Sequence, residues 1–577
     1  MEQNSSVLTA PSEVAVNAFA RFAIAAEAIA ATTKRLTKAA VLGEYLTSLE
    51  DEDLRRAARY FAGSPFPLSD QRVLNVGGSA LMTALQAVSG AEPASLQAEL
   101  VQRGDLGDVA RVVLPEGGAS TLLLPEVATA LATLVETRGN KRKVELIIQL
   151  LQRATPLEAK YLIKLMTGDL RIGLREGAVE DAIARLAQQK VERIQWVNML
   201  TGDIGETAVL ARHNQLDKAQ MRLFHPLKFM LASPVEDLAE ISQRMPEGFA
   251  VEDKYDGIRA QVHIAPTSDN ADPLLHGVTH ADVRVALFSR TLDEITHTFP
   301  DLVGPLAALP IETFGTGLIL DGEIVPYREG RILPFQDLQK RLGRKTLPEE
   351  LLREIPVTFV AYDILYRNDQ VLIGEPYAAR QALLAALNLE AHGIQRANSQ
   401  RFTDVAALDD EFQAARDRGN EGLMVKGLQS PYKPGKRGKD WLKVKRAIAT
   451  LDVVVTAAEV GTGKRSRFLS DYTFAVRASE DDPTLLNVGK AYSGLTDVEV
   501  TQLSDWFKAH TLQEFAHGRV RTVEPKVVLE VTFDRVQASK RHKGGYALRF
   551  PRILRIRDDK PVEEIDTLET VRKLAES

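Results

Sequence analysis

The hydrophobic pattern of this chain changes its period at one place, and that change limits the fold more than any other feature. Up to about residue 222, apolar residues recur at helical spacing. Thr155-Pro156-Leu157-Glu158 is a capping box with proline at the first helical position, and Leu157, Tyr161, Leu162 and Leu165 then keep to one face until Gly168. Residues 144–151 and 179–186 repeat the pattern, and no strand signal of comparable strength interrupts it. His225-Pro226-Leu227-Lys228-Phe229-Met230-Leu231-Ala232-Ser233-Pro234 carries prolines near both ends and reads as an extended connector. Beyond it stand short apolar or alternating runs at 260–264, 283–288, 317–320, 357–362, 423–425 and 441–444. From Leu451 the chain alternates again at 452–457, 472–476, 527–533 and 553–557, with one helix expected at 497–510. These periods predict an all-α segment over 1–222, a mixed α+β domain over 223–447 and a small β-barrel over 448–577.

Three domains suit 577 residues, which exceed what one hydrophobic core can organise. A hydrophobic fraction of 45% with mixed charge points to a soluble chain. Met-Glu-Gln-Asn-Ser-Ser lacks a secretory n-region and h-region, and the Ala-rich stretch 19–32 is broken by Arg21 and Glu27, so no membrane role and a cytoplasmic location are expected. The absence of cysteine excludes disulfides and thiolate zinc sites.

A net charge of -6 argues against a polyanion partner only if it is averaged over the chain. Between residues 426 and 446 lie Lys426, Lys433, Lys436, Arg437, Lys439, Lys443, Lys445 and Arg446 against Asp440 alone, and 535–560 carries nine Lys or Arg. Local stripes, not totals, set the field that a phosphate backbone feels, although solvated surface segments have the same composition. Glycine and arginine in 139–143 and 170–177 suit backbone phosphate contacts and suit exposed turns equally.

Chemistry concentrates in the middle segment. Glu252-Asp253-Lys254-Tyr255-Asp256-Gly257-Ile258-Arg259 sets a lysine between acids, then a turn pair and an arginine. A lysine amine, with a pKa of roughly 10.4, attacks phosphorus only where its site removes the proton. Glu323 in Asp321-Gly322-Glu323 and Glu421 in Asn420-Glu421-Gly422 stand at strand ends, where two carboxylates in one cleft would hold a hard cation such as magnesium and either alone would be a turn acid. Trp441-Leu442-Lys443-Val444-Lys445 puts both lysines on one strand face, a phosphate clamp or a solvated edge. Phe359 is core by periodicity or a base-stacking platform. Gly461-Thr462-Gly463-Lys464-Arg465 lacks the spacer and the Ser or Thr of a phosphate-binding P-loop.

Taken in order, Lys-Tyr-Asp-Gly-Ile-Arg (254–259), Phe-Ser-Arg (288–290), Asp-Gly-Glu (321–323), Phe-Val-Ala-Tyr-Asp (359–363), Glu-Gly-Leu-Met-Val-Lys (421–426), Trp-Leu-Lys-Val-Lys (441–445) and Arg-Asp-Asp-Lys (557–560) resemble the motifs of the covalent nucleotidyltransferase superfamily. The match is most similar to ATP-dependent DNA ligases of the larger type, with a helical DNA-binding domain first. The resemblance extends more softly to residues 70–77, 170–177 and 200–205. It implies a DNA-binding domain (1–222), an adenylation (nucleotidyltransferase) domain (223–447) and an OB-fold (448–577).

The resemblance also implies roles. Lys254 would carry AMP as a phosphoramidate, its neutral amine favoured by clustered cations and magnesium. Glu252 would meet the adenine edge and Phe359 stack on the ring. Arg259 and Glu323 would hold the ribose, with Glu323 and Glu421 near magnesium. Arg290, Lys443 and Lys445 would grip the α-phosphate, Lys426 would assist, and Arg557 and Lys560 would orient pyrophosphate. ATP and Mg2+ would be required, nicked double-stranded DNA would be the substrate, and the protein would act as a monomer in repair, replication or recombination. Residues after about Ala447 would rotate between the first and second steps. An RNA ligase or capping-type guanylyltransferase would use the same lysine on another acceptor, and a silent DNA clamp would leave the charged residues without a purpose.

Overall fold

The computed structural model describes residues 15–67, 70, 72–116, 121–235, 237–267, 276–342, 344, 347–444, 449–462 and 465–576, without the side chains of 336, 449 and 576. They form two compact units, with the boundary after Val444. Among the described residues no helix is long and apolar enough to cross a membrane.

The first unit opens with α-helices running from Phe19–Ala30 to Ile204–Arg212. They share one core, in which Phe22 packs on Phe61 (ring centroids 4.6 Å apart), Tyr60 (5.9 Å) and Tyr161 (6.5 Å). The expected capping box starts the helix Pro156–Met166: the Thr155 hydroxyl accepts from the Glu158 N–H (3.3 Å), and the Glu158 carboxylate accepts from the Thr155 N–H (2.8 Å). The helices Asn140–Gln152 and Glu176–Leu186 contain the other two periodic runs. The loop after Leu170 is tied inward: Lys38 Nζ donates to the Ile172 carbonyl (2.5 Å) and Arg171 Nη1 to that of Gly104 (2.8 Å). Asp203 caps Ile204–Arg212 by accepting from the Gly205 N–H (2.9 Å) and also accepts from Arg59 Nε (2.9 Å).

The rest of this unit holds β1 (Leu231–Val235), β2 (Phe249–Asp253), β3 (Ile258–Pro266), β4 (Val278–His280), β5 (Val283–Ser289), β6 (Leu318–Arg328), β7 (Arg331–Ile332), β8 (Val357–Arg367), β9 (Gln370–Val371), β10 (Gln395–Arg396), β11 (Gln400–Phe402), β12 (Leu423–Gly427) and β13 (Arg437–Val444). One sheet has the order β1-β13-β12-β2-β11, with β1 parallel to β13 and the other pairs antiparallel. The second has the order β10-β8-β6-β3-β5-β4, with β7 beside β6 and β9 beside β8.

Strand alternation gives each sheet two chemically distinct faces. In the first sheet Phe249, Val251, Leu423, Val425, Leu442 and Val444 pack together with Ile241, Leu408 and Ala415 from flanking helices. In the second, Ala260, Val262, Ile264, Leu320, Ile324, Phe359 and Ala361 form a core with Leu306 and Leu384. The remaining positions face the other way: Glu252, Met424, Lys426, Trp441 and Lys443 on the first sheet, Arg259, Gln261, His263, Asp321, Glu323 and Val360 on the second. Trp441 packs in one cluster with Ile319, Leu365, Met230 and Tyr432, so these two faces close a cleft at an apolar floor.

The connector lies along that cleft and its start is fastened by two buried polar side chains. His263 Nδ1 accepts from the Phe224 N–H (2.9 Å), while Gln261 Oε1 accepts from the Leu227 N–H (2.8 Å) and lies 2.8 Å from His263 Nε2. Burial pulls the His263 imidazole down to about 3. The neutral ring is therefore the folded form, whereas in the unfolded chain it takes a proton below about 6.5. Stability from this group is complete above pH 6.5 and drains as pH falls toward 3, by up to about 1.4 kcal/mol per pH unit. Urea titrations at pH 7 and pH 5 check this: the wild type loses more stability between them than His263→Gln, a comparison that cancels the carboxylate titrations common to both.

The second unit contains β14 (Ala449–Val460), β15 (Leu469–Arg477), β16 (Leu485–Ala491), β17 (Thr511–Phe515), β18 (Val520–Val523), β19 (Val528–Phe533), β20 (Arg535–Ala538), β21 (Tyr546–Arg549) and β22 (Arg552–Ile556). Long β14 pairs with β15 along one edge and with β19 and then β18 along the other, the strand-rich architecture expected. The helix Asp497–Ala509 begins at a capping box of Thr496 and Glu499. The Gly461 loop lies partly outside the described residues.

Candidate active site

Lys254 leaves the end of β2 with its main chain still paired. Its N–H donates to the Gly422 carbonyl and its own carbonyl accepts from the Glu421 N–H, both at 2.8 Å. This cross-bonding brings the Lys254 amine and the Glu421 carboxylate into an ion pair. On the other side of Lys254 the chain turns tightly into β3, and a Cβ at Gly257 would run into the Ile324 carbonyl and the Glu323 side chain. The turn therefore requires glycine, and it sets Glu323 beside the lysine. Neighbouring Asp253 is clamped by Arg418, through Nε (2.9 Å) and Nη2 (2.7 Å), and by Asn420 Nδ2 (2.9 Å).

Burial pushes the Glu323 carboxyl up to about 8 against the pull of Lys254 and Arg259, and the charges of Asp321 and Glu421 add to the rise. Two mutually repelling carboxylates near one amine are a donor set that a hard divalent cation stabilises. Magnesium commonly takes one or two carboxylates and fills its shell with phosphate and water, so Glu323 and Glu421 fit it. No cluster of three acidic or histidine ligands occurs among the described residues. Among the described residues Lys254 pairs with the Glu421 carboxylate, and it acts on the Glu323 carboxylate together with Arg259.

The place expected for Phe359 is corrected. It pairs with Ile324 in the register of β8 on β6, is fully buried, and lies in the core on the sheet face away from Glu323. Its ring occupies the space that a side chain at Gly322 would need. The aromatic residue on the cleft side is Tyr362, which sits at a bulge of β8 and meets the Arg259 guanidinium at 5.7 Å and Lys426 Nζ at 4.6 Å.

Lys426 is not a surface phosphate hook. It is 1% exposed, pairs with Glu252 (2.6 Å), and its ammonium lies near the rings of Tyr362, Tyr377 (5.1 Å) and Trp441 (4.3 Å). Glu252 in turn accepts from the Tyr377 hydroxyl. Arg259 is likewise engaged, gripping buried Asp321 through Nε (3.1 Å) and Nη2 (2.7 Å). Arg290 is exposed in the turn after β5, Lys443 lies on the same sheet face as Glu252, and Lys445 falls outside the described residues. In the second unit Arg557 and Lys560 converge on one carboxylate, that of Asp452, at 2.9 Å and 2.7 Å.

The chain is similar to known proteins along most of its length. Residues 18–184 match the family described as DNA ligase N terminus, 229–445 the ATP dependent DNA ligase domain, and 465–560 the ATP dependent DNA ligase C terminal region. A probable DNA ligase of Koribacter versatilis is 47% identical over 578 residues, covering 96% of this chain and 95% of that protein. The chain belongs to the ATP-dependent DNA ligases. A DNA ligase of Archaeoglobus fulgidus is 35% identical, over 96% of this chain and 98% of its own. The fold is similar to the solved Pmar-Lig_PreS3, with a TM-score of 0.59 and 18% identity over 93% of this chain and 99% of that one.

Sequence reasoning passed over four groups in this ligase's cleft: Asp321, Tyr362, Tyr377 and Tyr432. Asp321 and Tyr362 stood inside recognised motifs beside more conspicuous neighbours. Tyr377 and Tyr432 reach the cleft through long-range contacts that no local pattern encodes.

Proposed function

We propose that the protein seals 5′-phosphate/3′-hydroxyl nicks in duplex DNA through a Lys254–AMP intermediate and a DNA-adenylate, in repair, replication or recombination, in the cytoplasm. Segments 1–222, 223–447 and 448–577 would serve as DNA-binding, adenylation and OB-fold domains. The observation that carries this reading is the placement of the Lys254 amine between Glu421 and Glu323 at the join of two opposed sheet faces. In the first step Nζ, having passed one proton to Glu421, bonds to the α-phosphorus of ATP, the bond from that phosphorus to the bridging oxygen breaks, and pyrophosphate leaves, the second proton of the nitrogen passing to solvent as the phosphoramidate forms. The 5′-phosphate at the nick then displaces the lysine and takes AMP. Finally the 3′-hydroxyl attacks that phosphate and AMP departs.

Around this chemistry the chain supplies positioning. Tyr362, not Phe359, is the cleft-side ring available to adenine, and Lys426 acts by holding Glu252 for the base edge. Arg259 retains two N–H groups for the ribose side after its three bonds to protein acceptors. Arg290, Lys443 and Lys445 would meet the α-phosphate, and Arg557 and Lys560 the pyrophosphate. Bound at Glu323 and Glu421, magnesium would spread the negative charge of the triphosphate.

Incubation with α-labelled ATP followed by peptide mapping tests the reading: the label is expected on the peptide containing Lys254, and a label on any other lysine removes the assignment. Nicked-DNA affinity is expected to fall with salt at a log-log slope of about -0.9 per phosphate contacted, measured by titration between 50 and 200 mM. A flat response would remove DNA contact from the basic stripes.

A further inference from the structure

Four groups close a hydrogen-bonded ring beside the cleft. Arg259 of β3 grips Asp321 of β6 through Nε and Nη2, and its Nη1 donates to the Met230 carbonyl of the connector (2.7 Å). The Met230 N–H donates to the Tyr432 hydroxyl (3.1 Å), and that hydroxyl donates to Asp321 Oδ2 (2.8 Å). Tyr432 stands between β12 and β13, so the ring joins both sheets and the connector. Asp321 is fully buried and Tyr432 is 3% exposed. Tyr432 also packs edge-on against Trp441, with centroids 5.6 Å apart at 84°, which holds its ring in one orientation.

Phenylalanine would fill the same space and make the same ring contact. A buried hydroxyl carries a desolvation cost unless it is bonded on both sides, as this one is. What it adds over phenylalanine is direction: it holds the Asp321 carboxylate against Arg259 and the Met230 peptide against both. Glu323 follows Asp321 by two residues on the same face of β6, so the ring that fixes Asp321 also fixes the strand carrying Glu323.

We propose that Tyr432 is a positioning residue for nucleotide binding, setting through Asp321 the orientation in which Arg259 and Glu323 meet ATP. The proposal rests on the reading that ATP loads Lys254. Tyr432→Phe removes one donor from Asp321 and strands the Met230 N–H without changing any charge. The residue touches none of the reacting atoms, so its loss weakens capture of the nucleotide more than the transfer.

The test follows the rate and final amplitude of Lys254 labelling across ATP concentrations, with thermal melts of each variant. For Tyr432→Phe the ATP concentration giving half-maximal rate is expected to rise about tenfold or more, with the maximal rate within about threefold of wild type. A reduced amplitude at an unchanged half-maximal ATP concentration would mark a folding contribution alone and overturn the proposal. Asp321→Asn is the second arm, expected to raise the half-maximal concentration at least as much, and the double variant is expected to be no worse than Asp321→Asn because both act through one carboxylate. Losses that multiply in the double variant would overturn it. Should Tyr432→Phe fail to fold, an unchanged half-maximal concentration in Asp321→Asn would overturn the proposal in its place. If wild type itself takes no label on Lys254, the function proposed above fails, and not the role of Tyr432.

Discussion

Lys254→Ala is expected to leave covalent AMP at less than about one-thousandth of the wild-type level, because a missing nucleophile cannot be replaced by its neighbours. The amine stands at one fixed place, cross-bonded to the Glu421–Gly422 main chain, and alanine preserves both of those 2.8 Å bonds. The variant is therefore expected to fold, to melt like wild type and to bind nicked DNA with the same salt dependence, losing only the step that needs Nζ. Alkali-stable, acid-labile labelling, the signature of a phosphoramidate, measured by gel against wild type, with a melt of each protein, separates these outcomes. Equal labelling of both proteins would place the nucleophile elsewhere.

Asp363→Ala is expected to cost about 3–5 kcal/mol of stability, the penalty for leaving a buried guanidinium without its counter-ion. Asp363 and Arg380 are both fully buried, joined by bonds of 2.7 Å and 2.9 Å, and Arg380 Nη1 also donates to the Ser430 carbonyl (3.1 Å). Asp363 belongs to the Phe-Val-Ala-Tyr-Asp motif, so an activity screen alone would score it as a catalytic group. Urea unfolding distinguishes the two: the midpoint drops sharply, Asp363→Ala/Arg380→Met recovers much of the loss, and protein kept folded in the cold still labels Lys254. A loss below about 1 kcal/mol would show that the pair is dispensable.

The sequence was most legible where a signal is local. The box at Thr155 and Glu158 closes as its four residues require, and the alternation of Trp441, Leu442, Lys443 and Val444 places Leu442 and Val444 in a core. Short strands such as β2, with five residues and four of them buried, carry too few alternations to be recognised, although β2 delivers Glu252 and Lys254. For Phe359 periodicity pointed to the core and the family resemblance to the cleft, and the register on Ile324 sides with periodicity. Lys426 misled in the opposite sense, since a lysine in a basic stripe gives no local sign that three rings and Glu252 will enclose it. The ring of Arg259, Asp321, Tyr432 and Met230 spans more than 200 residues of chain, from Met230 to Tyr432, and is a product of tertiary closure.

The enclosure of Lys426 also changes how experiments on this surface read out. A charge-neutralising scan of residues 426–446 would include Lys426 with Lys436 and Lys439, yet a polyanion outside the protein meets a countercharged cation screened by aromatic rings. Neutralising it is expected to alter the packing around Glu252 and to leave the ionic-strength dependence of DNA affinity where it was. A scan scored on joining activity alone would count it as a DNA contact, and a salt titration of the same variant would take it off that map.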